Sequence, residues 1–400
     1  MHQKLSKENM RLLKSILCVT GALLLASCSS LMKPEVEIEG PVGQSKLQFK
    51  AVSFQQLPEI ADSEWEPALA AFQRSCVSLS RKADWKSVCA MAEKMQPTDA
   101  KGFFLTQFVP YQVTAWTKNE DHSITSSVSG MMTGYYEPLL YGSRTKKKPY
   151  TIPLHGTPDD LITVDLGELY PQIKGLRLRG RVEGQRLVPY GSRADIVKQK
   201  SLDRWAIAWV EDPVSAFFLQ VQGSGRIVLP NGSYMRIGYA NTNGHPYKAI
   251  GRWLIEKGYL TADQLSMQSI RVWAEQNPKR VAELLNQNPS YIFFTERQAK
   301  SFDEGPIGAQ GVPLTPLGSI AVDRRYYQLG WPMIVDVNQE NPEMRFTRAV
   351  VAQDTGGAIK GPIRFDFFWG FGEQAGELAG RQKSDVKAWV MLPLGMKAPN

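Results

Sequence analysis

Apolar positions early in the chain fall at helical spacing. Leu69, Phe72, Cys76 and Leu79 share one face, and Trp85, Cys89 and Ala92 repeat the pattern one helix later. Ser63 with Glu66 forms a capping-box pair ahead of the first helix, with Asp62 as a second candidate cap. Asp84 can cap the second helix. From about Phe104 to Val228 the texture changes to short strands broken by Gly, Pro, Asp and Asn. Leu176–Val182 alternates apolar or small residues with arginines, and Ala206–Glu211 and Ala216–Val221 are compact strand candidates. A helical block follows. Tyr247–Lys257 ends at Gly258, Thr261 and Gln264 make another capping box, and Asn277-Pro278 opens a helix through Leu285. Strands return at Tyr291–Phe294, Ile320–Asp323, Met333–Val337, Phe346–Gln353, Ile363–Phe368 and Ala388–Leu392. The class is mainly β with a helical minority, in the manner of a barrel or sandwich.

Two carboxylates interrupt this pattern. Asp354 closes a β-branched run before Gly356-Gly357, and Asp366 sits between Phe365 and Phe367 inside a strand candidate. Loss of water disfavours a charged carboxylate and raises its pKa, and a partly protonated acid near neutrality is a proton donor. If the two approach one another, like-charge repulsion raises the pKa of one of them. The competing reading pairs Asp366 with Arg364 on the same strand face at a surface edge. Asp323, followed by Arg324 and Arg325, reads as an ion-paired structural acid.

Charge and cysteines locate the chain. Lys4, Lys7, Arg11 and Lys14 precede a short apolar core, Ser15–Ser27, too short to span a bilayer. Leu25-Ala26-Ser27-Cys28 resembles the lipobox of bacterial lipoproteins. Residues 1–27 would then be a signal peptide, with Cys28 lipidated and residues 28–44 a tether. Ser29 points to the outer membrane, periplasmic face. The formal charge of +8 falls to +5 without residues 1–27, which suits an anionic envelope surface. No basic arm argues for nucleic acid. Cys76 and Cys89 then remain in an oxidising compartment, either bridged between two packed helices or as two buried thiols. About 370 mature residues exceed one ordinary core, so two domains are predicted.

The loops hold further candidates. Thr133-Gly134-Tyr135-Tyr136-Glu137-Pro138 joins a tight turn to adjacent aromatics that could stack on sugars, or pack in a core. Glu137 could be another working carboxylate or lie in a solvated turn. Phe217–Gln222 reads as a strand entering the turn Gly223-Ser224-Gly225, where Gln222 and Ser224 could hydrogen-bond hydroxyls or amides. That turn lacks the features of a phosphate loop. Gly238–Tyr247 is an aromatic, amide-rich loop of a sugar-binding kind. Three histidines, His122, His155 and His245, follow the leader without zinc-binding spacing, and no nucleophile elbow occurs, so neither a metal nor a cofactor is predicted.

These segments resemble a known family. TGYYEP, VQGSGR, GYANTNGHPY, NPSYIFF, GVPLTP with SIAVD, AQDTGGAIKGPIRFDFFWG and AWVMLP occur in the order of the membrane-bound lytic murein transglycosylase A family, glycoside hydrolase family 102. The resemblance runs from about Phe104 to the C-terminus; Gly318 stands where the family often carries Arg. It implies a double-psi β-barrel from residues 45–138 and 293–397, interrupted by a β-rich domain with helices at 139–292, and a glycan groove between them. It implies cleavage of the β-1,4 bond from N-acetylmuramic acid to N-acetylglucosamine, leaving a 1,6-anhydromuramoyl end. Asp366 matches the family's catalytic acid and base, and Asp354 its second groove aspartate, which keeps Asp366 protonated. Asp323 matches the first of three aspartates that mark the barrel. Thr133, Gln222 and Ser224 match glycan-contacting positions. The implied partners are peptidoglycan strands, the outer membrane through the lipid, and cell-wall synthesis or division complexes.

Overall fold

The structure, a computed structural model, describes residues 45–399 apart from 174–175, 177, 299–300 and 303. Cys28, the leader and the tether lie outside the described residues. The strands in chain order are β1 (Ser45–Ala51), β2 (Phe108–Lys118), β3 (Ile124–Ser127), β4 (Ser129–Glu137), β5 (Leu139–Ser143) and β6 (Ile152–His155). Then come β7 (Ile162–Thr163), β8 (Arg179–Glu183), β9 (Arg186–Pro189), β10 (Ala206–Val210), β11 (Ser224–Val228) and β12 (Tyr234–Thr242). The last are β13 (Ile292–Arg297), β14 (Ser319–Ala321), β15 (Pro332–Gln339), β16 (Met344–Asp354), β17 (Arg364–Phe371) and β18 (Lys383–Pro393).

Six of them, β4, β18, β15, β16, β14 and β17, form a closed ring, because β18 and β17 both pair with β4. The pairs β14–β16 and β17–β4 are parallel; the others in the ring are antiparallel. Closure removes exposed strand edges and defines an inside. Ile320, Val335, Val350, Phe365, Phe367 and Val390 are fully buried in the core of this region. β18 extends past the ring and pairs with β2, which carries β1 and β3. A second sheet has the order β13-β12-β11-β5-β10-β6, and β7–β9 form a small third one. The mainly β expectation holds, and the ring resolves barrel against sandwich.

Nine helices are described: α1 (Glu66–Leu79), α2 (Ala83–Ala92), α3 (Ala100–Gln107), α4 (Arg193–Lys198), α5 (Pro213–Gln222), α6 (Gly251–Glu256), α7 (Met267–Gln276), α8 (Val281–Leu285) and α9 (Gly372–Arg381). A disulfide joins Cys76 of α1 to Cys89 of α2, and both faces enter the main core. The predicted caps differ in detail. Asp62–Glu64 form a separate turn, α1 starts without a side-chain cap, and Asp84 lies inside the first turn of α2. Thr261 N–H does bond Gln264 Oε1, but the helix begins later, at Met267, capped by Ser266. Gly318 fits a close approach, since a Cβ there would lie 2.3 Å from the Pro67 carbonyl oxygen.

One predicted strand is a helix. Ala216–Val221 belongs to α5, whose Asp212 carboxylate accepts from the Val214 and Ser215 N–H groups. Pro213 occupies its first turn, and Gly223 ends it at φ 81°. Val214, Phe217 and Phe218 pack with Trp253, Leu254 and Trp273 of α6 and α7. Similarly, Gly238–Thr242, read as loop, is the second half of β12.

Glu137 is neither solvated nor in a turn. It ends β4 with 1% exposure and accepts from Arg226 Nε at 2.7 Å and Arg236 Nη2 at 3.2 Å. Arg226, also 1% exposed, packs under the Phe371 ring at 3.7 Å and bonds the Phe302 carbonyl. The pair thus ties a barrel strand to β11 of the second sheet. Removing one partner of a buried pair strands the other charge. We expect Arg226→Met to cost about 3 kcal/mol in denaturant unfolding, and Glu137→Gln added to it to recover part of that loss.

Candidate active site

β17 explains how a carboxylate comes to sit among phenylalanines. Phe365 and Phe367 turn into the barrel core, and the intervening Arg364 and Asp366 turn out of it, following the strand's two-residue period. Asp366 lies in register with Thr133 on β4 and Ala321 on β14. Ala321 is also the partner of Asp354 on β16. One three-residue strand therefore separates the two aspartates, placing their Cα atoms about 10 Å apart at two interstrand spacings.

The Thr133 hydroxyl donates to Asp366 Oδ1 at 2.6 Å and accepts from Arg364 Nη2 at 3.0 Å. With Arg364 donating to its oxygen, the single hydroxyl proton is directed at the carboxylate. Among the described residues, Asp366 Oδ2 has no hydrogen-bond partner. Arg364 also donates to the Phe365 carbonyl. The reading of a simple Arg364–Asp366 ion pair is thereby corrected: the guanidinium reaches the carboxylate through Thr133.

Burial is the main cause that raises the Asp366 pKa, to about 6. The Thr133 hydrogen bond and the Arg364 charge pull it down, and Asp354 adds the smallest push upward. Tyr135, Leu314, Ala321, Ile359 and Phe368 form the apolar cluster beside the carboxyl. Proximity of Asp354, given the leading part by resemblance, comes after loss of water.

Asp354 accepts from the Tyr135 hydroxyl at 3.0 Å through Oδ2 and from Ala309 N–H at 2.9 Å through Oδ1. The Tyr135 phenol is held well above its ordinary range by burial first, then by the Asp354 and Asp366 charges, so it stays a donor. Tyr135 and Tyr136 are only 9% and 7% exposed, which corrects the idea of open sugar-stacking rings. Tyr136 instead packs beneath α9, where a Cβ on Gly376 would lie 2.8 Å from its ring. Gly134 is needed for a similar approach: a Cβ would meet Gln382 Oε1 at 2.6 Å and the Trp369 indole nitrogen at 2.7 Å.

Gln222 Oε1 accepts the Tyr136 N–H at 3.0 Å, so it joins the end of α5 to β4. Ser224 opens β11 beside it, half-buried. Thr133, Asp366, Tyr135 and Asp354 form the close cluster, while Gly134, Tyr136, Gln222 and Ser224 border it. Asp323 is a structural acid. Burial would raise its pKa, but the Arg325 fork and the Gly361 and Arg325 N–H groups hold it below its ordinary value. Its bond to Gly361 fixes the segment that connects Asp354 to Asp366. Sequence reasoning missed Ala321 and Ala309, whose contributions depend on register and a backbone N–H. Among the described residues, no group of three His, Cys, Asp or Glu side chains could hold a metal ion.

Comparison with known proteins places this geometry in a family. Residues 131–295 match the MltA specific insert domain and residues 318–392 the 3D domain. The membrane-bound lytic murein transglycosylase A of Escherichia coli K12 is 33% identical over 267 residues, an alignment spanning 65% of this chain and 64% of that protein. The crystal structure of MltA from Neisseria gonorrhoeae is similar with a TM-score of 0.74 and 38% identity, covering 90% of this chain and 97% of that one. E. coli MltA with bound chitohexaose matches with a TM-score of 0.62 and 26% identity, over 90% and 97% of the two chains. The chain belongs to the membrane-bound lytic murein transglycosylase A family.

Proposed function

We propose that the protein is a lytic transglycosylase of peptidoglycan. It cleaves the β-1,4 bond between N-acetylmuramic acid and N-acetylglucosamine and leaves 1,6-anhydromuramoyl ends. The observation that carries this reading is the Asp366 carboxyl, held near pKa 6 with one oxygen fixed by Thr133. With Oδ1 accepting from Thr133, the acid proton resides on Oδ2, the oxygen without a hydrogen-bond partner among the described residues. Protonation of the glycosidic oxygen lets the N-acetylglucosamine hydroxyl leave as positive charge develops at the muramoyl anomeric carbon. The Asp366 carboxylate then takes the proton of the muramoyl 6-hydroxyl as that oxygen bonds to the same carbon. The acid is regenerated and no water is consumed. An internal nucleophile removes the need for a second carboxylate to activate water or attack the sugar, and adds the advantage of proximity. Asp354 is the neighbouring charge that supports protonation, secondary to burial.

The rest of the assignment follows the same reading. Cys28 carries lipid, residues 1–27 are removed, and the enzyme faces the periplasm from the outer membrane. The curated relatives' membrane-bound description supports this. The domains divide at 45–138 with 293–397 and at 139–292, with glycan in the groove that Thr133, Gln222 and Ser224 border.

Digestion of purified sacculi tests the chemistry. Wild type is expected to release muropeptides lighter by one water than their hydrolytic counterparts, and Asp366→Asn to release none while still binding sacculi. Products with reducing muramic ends would indicate a hydrolase, and an active Asp366→Asn would remove the residue assignment. The acid form is lost as pH rises through the folded pKa, so kcat/KM should fall about tenfold per pH unit above about 6. Thr133→Val removes a bond that favours the charged form, so its falling limb should move to higher pH.

A further inference from the structure

A trough of about 300 Å³ adjoins the site along the N-terminal direction of the parallel strands β4 and β17. Its walls are rich in hydroxyls, including Thr117, Thr125, Ser126 and Ser129, and carry the cations Lys360 and Arg364. No carboxylate lines it among the described residues. Arg364 is half-buried and donates to the Thr133 hydroxyl and the Phe365 carbonyl, and Lys360 is exposed; among the described residues neither forms a direct salt bridge with a carboxylate. The Arg364 charge already acts on Asp366 through Thr133, and a carboxylate bound in the trough would add a second, charge-assisted partner to the same guanidinium.

The trough is also held in shape. Asp323 accepts the Gly361 N–H at 2.9 Å, and the Tyr327 hydroxyl donates to the Pro362 carbonyl at 2.5 Å. Both anchors fix the Lys360–Ile363 wall from below. Arg364 lies two residues from Asp366, about 7 Å along the strand. A substituent on the muramoyl ring reaches that far within two residues of extended peptide.

We propose that this trough receives the peptide stem of the muramoyl residue being cut, with Lys360 and Arg364 binding its carboxylates and the β2, β3 and β4 hydroxyls its amides. This rests on the lytic function proposed above. It makes the enzyme a reader of stem-bearing glycan, with Arg364 shared between the stem and the Thr133–Asp366 bond.

Binding to an uncut substrate separates the two ideas. The Asp366→Asn chain would be titrated with short glycan fragments that carry tetrapeptide stems and with the same fragments stripped of peptide. We expect at least about fivefold tighter binding of the stem-bearing fragments at low salt, a preference that fades as salt screens it. Lys360→Glu, at an exposed turn position, should abolish the preference and leave affinity for stripped fragments unchanged; Lys360→Arg should retain it. Equal affinity of the parent chain for both fragments, or a loss in Lys360→Glu common to both, would overturn the trough assignment. A clear stem preference in a chain whose wild type yields no anhydro product would keep the trough and remove the lytic reading.

Discussion

Withholding water from one carboxyl group is the constraint on which the site depends. Asp366 is carried by a strand whose neighbours, Phe365 and Phe367, are fixed in the barrel core, so its backbone is held in place beside the apolar cluster. The apolar cluster around Tyr135 and Phe368 then raises its pKa to about 6. Because the folded pKa lies above the ordinary value, the charged form is disfavoured in the folded state. The resulting loss of stability is absent below about pH 4 and complete above about pH 6, on the order of 3 kcal/mol. The ring of six strands offsets it with a large apolar core. Stability is thus given up at the group proposed as the proton donor.

The surrounding polar groups tune this primary effect. Thr133 and Arg364 favour the charged form and Asp354 opposes it, which keeps the group between a permanent acid and a permanent base. The proton shuttle proposed for Asp366 needs that balance, since it must donate and accept within one turnover. Tyr135 and Ala309 N–H fix Asp354, Asp323 fixes the connecting segment, and Ala321 spaces the two strands.

What could be read from the sequence followed physical rules of different reach. The oddity of Asp366 between phenylalanines was legible because strand alternation and the cost of dehydration are local. The barrel's strands were legible too, but closure was not, since pairing of β4 with both β17 and β18 joins segments far apart in sequence. Ala216–Val221 misled because a short continuous apolar run carries no period; the cap at Asp212-Pro213 and the stop at Gly223 were the signals that mattered. Glu137 could not be interpreted without Arg226 and Arg236, which lie 89 and 99 residues away and meet it only through the second sheet. The roles of Tyr135 and Tyr136 likewise depended on burial that composition does not reveal.

The central claim is that the Asp366 carboxyl titrates near neutrality in the folded protein. Carbon-detected NMR of aspartate-labelled protein, with the resonance assigned by its loss in Asp366→Asn, measures it directly. The account predicts a midpoint of about 6. A midpoint at or below the ordinary aspartate value of about 3.9 would contradict it.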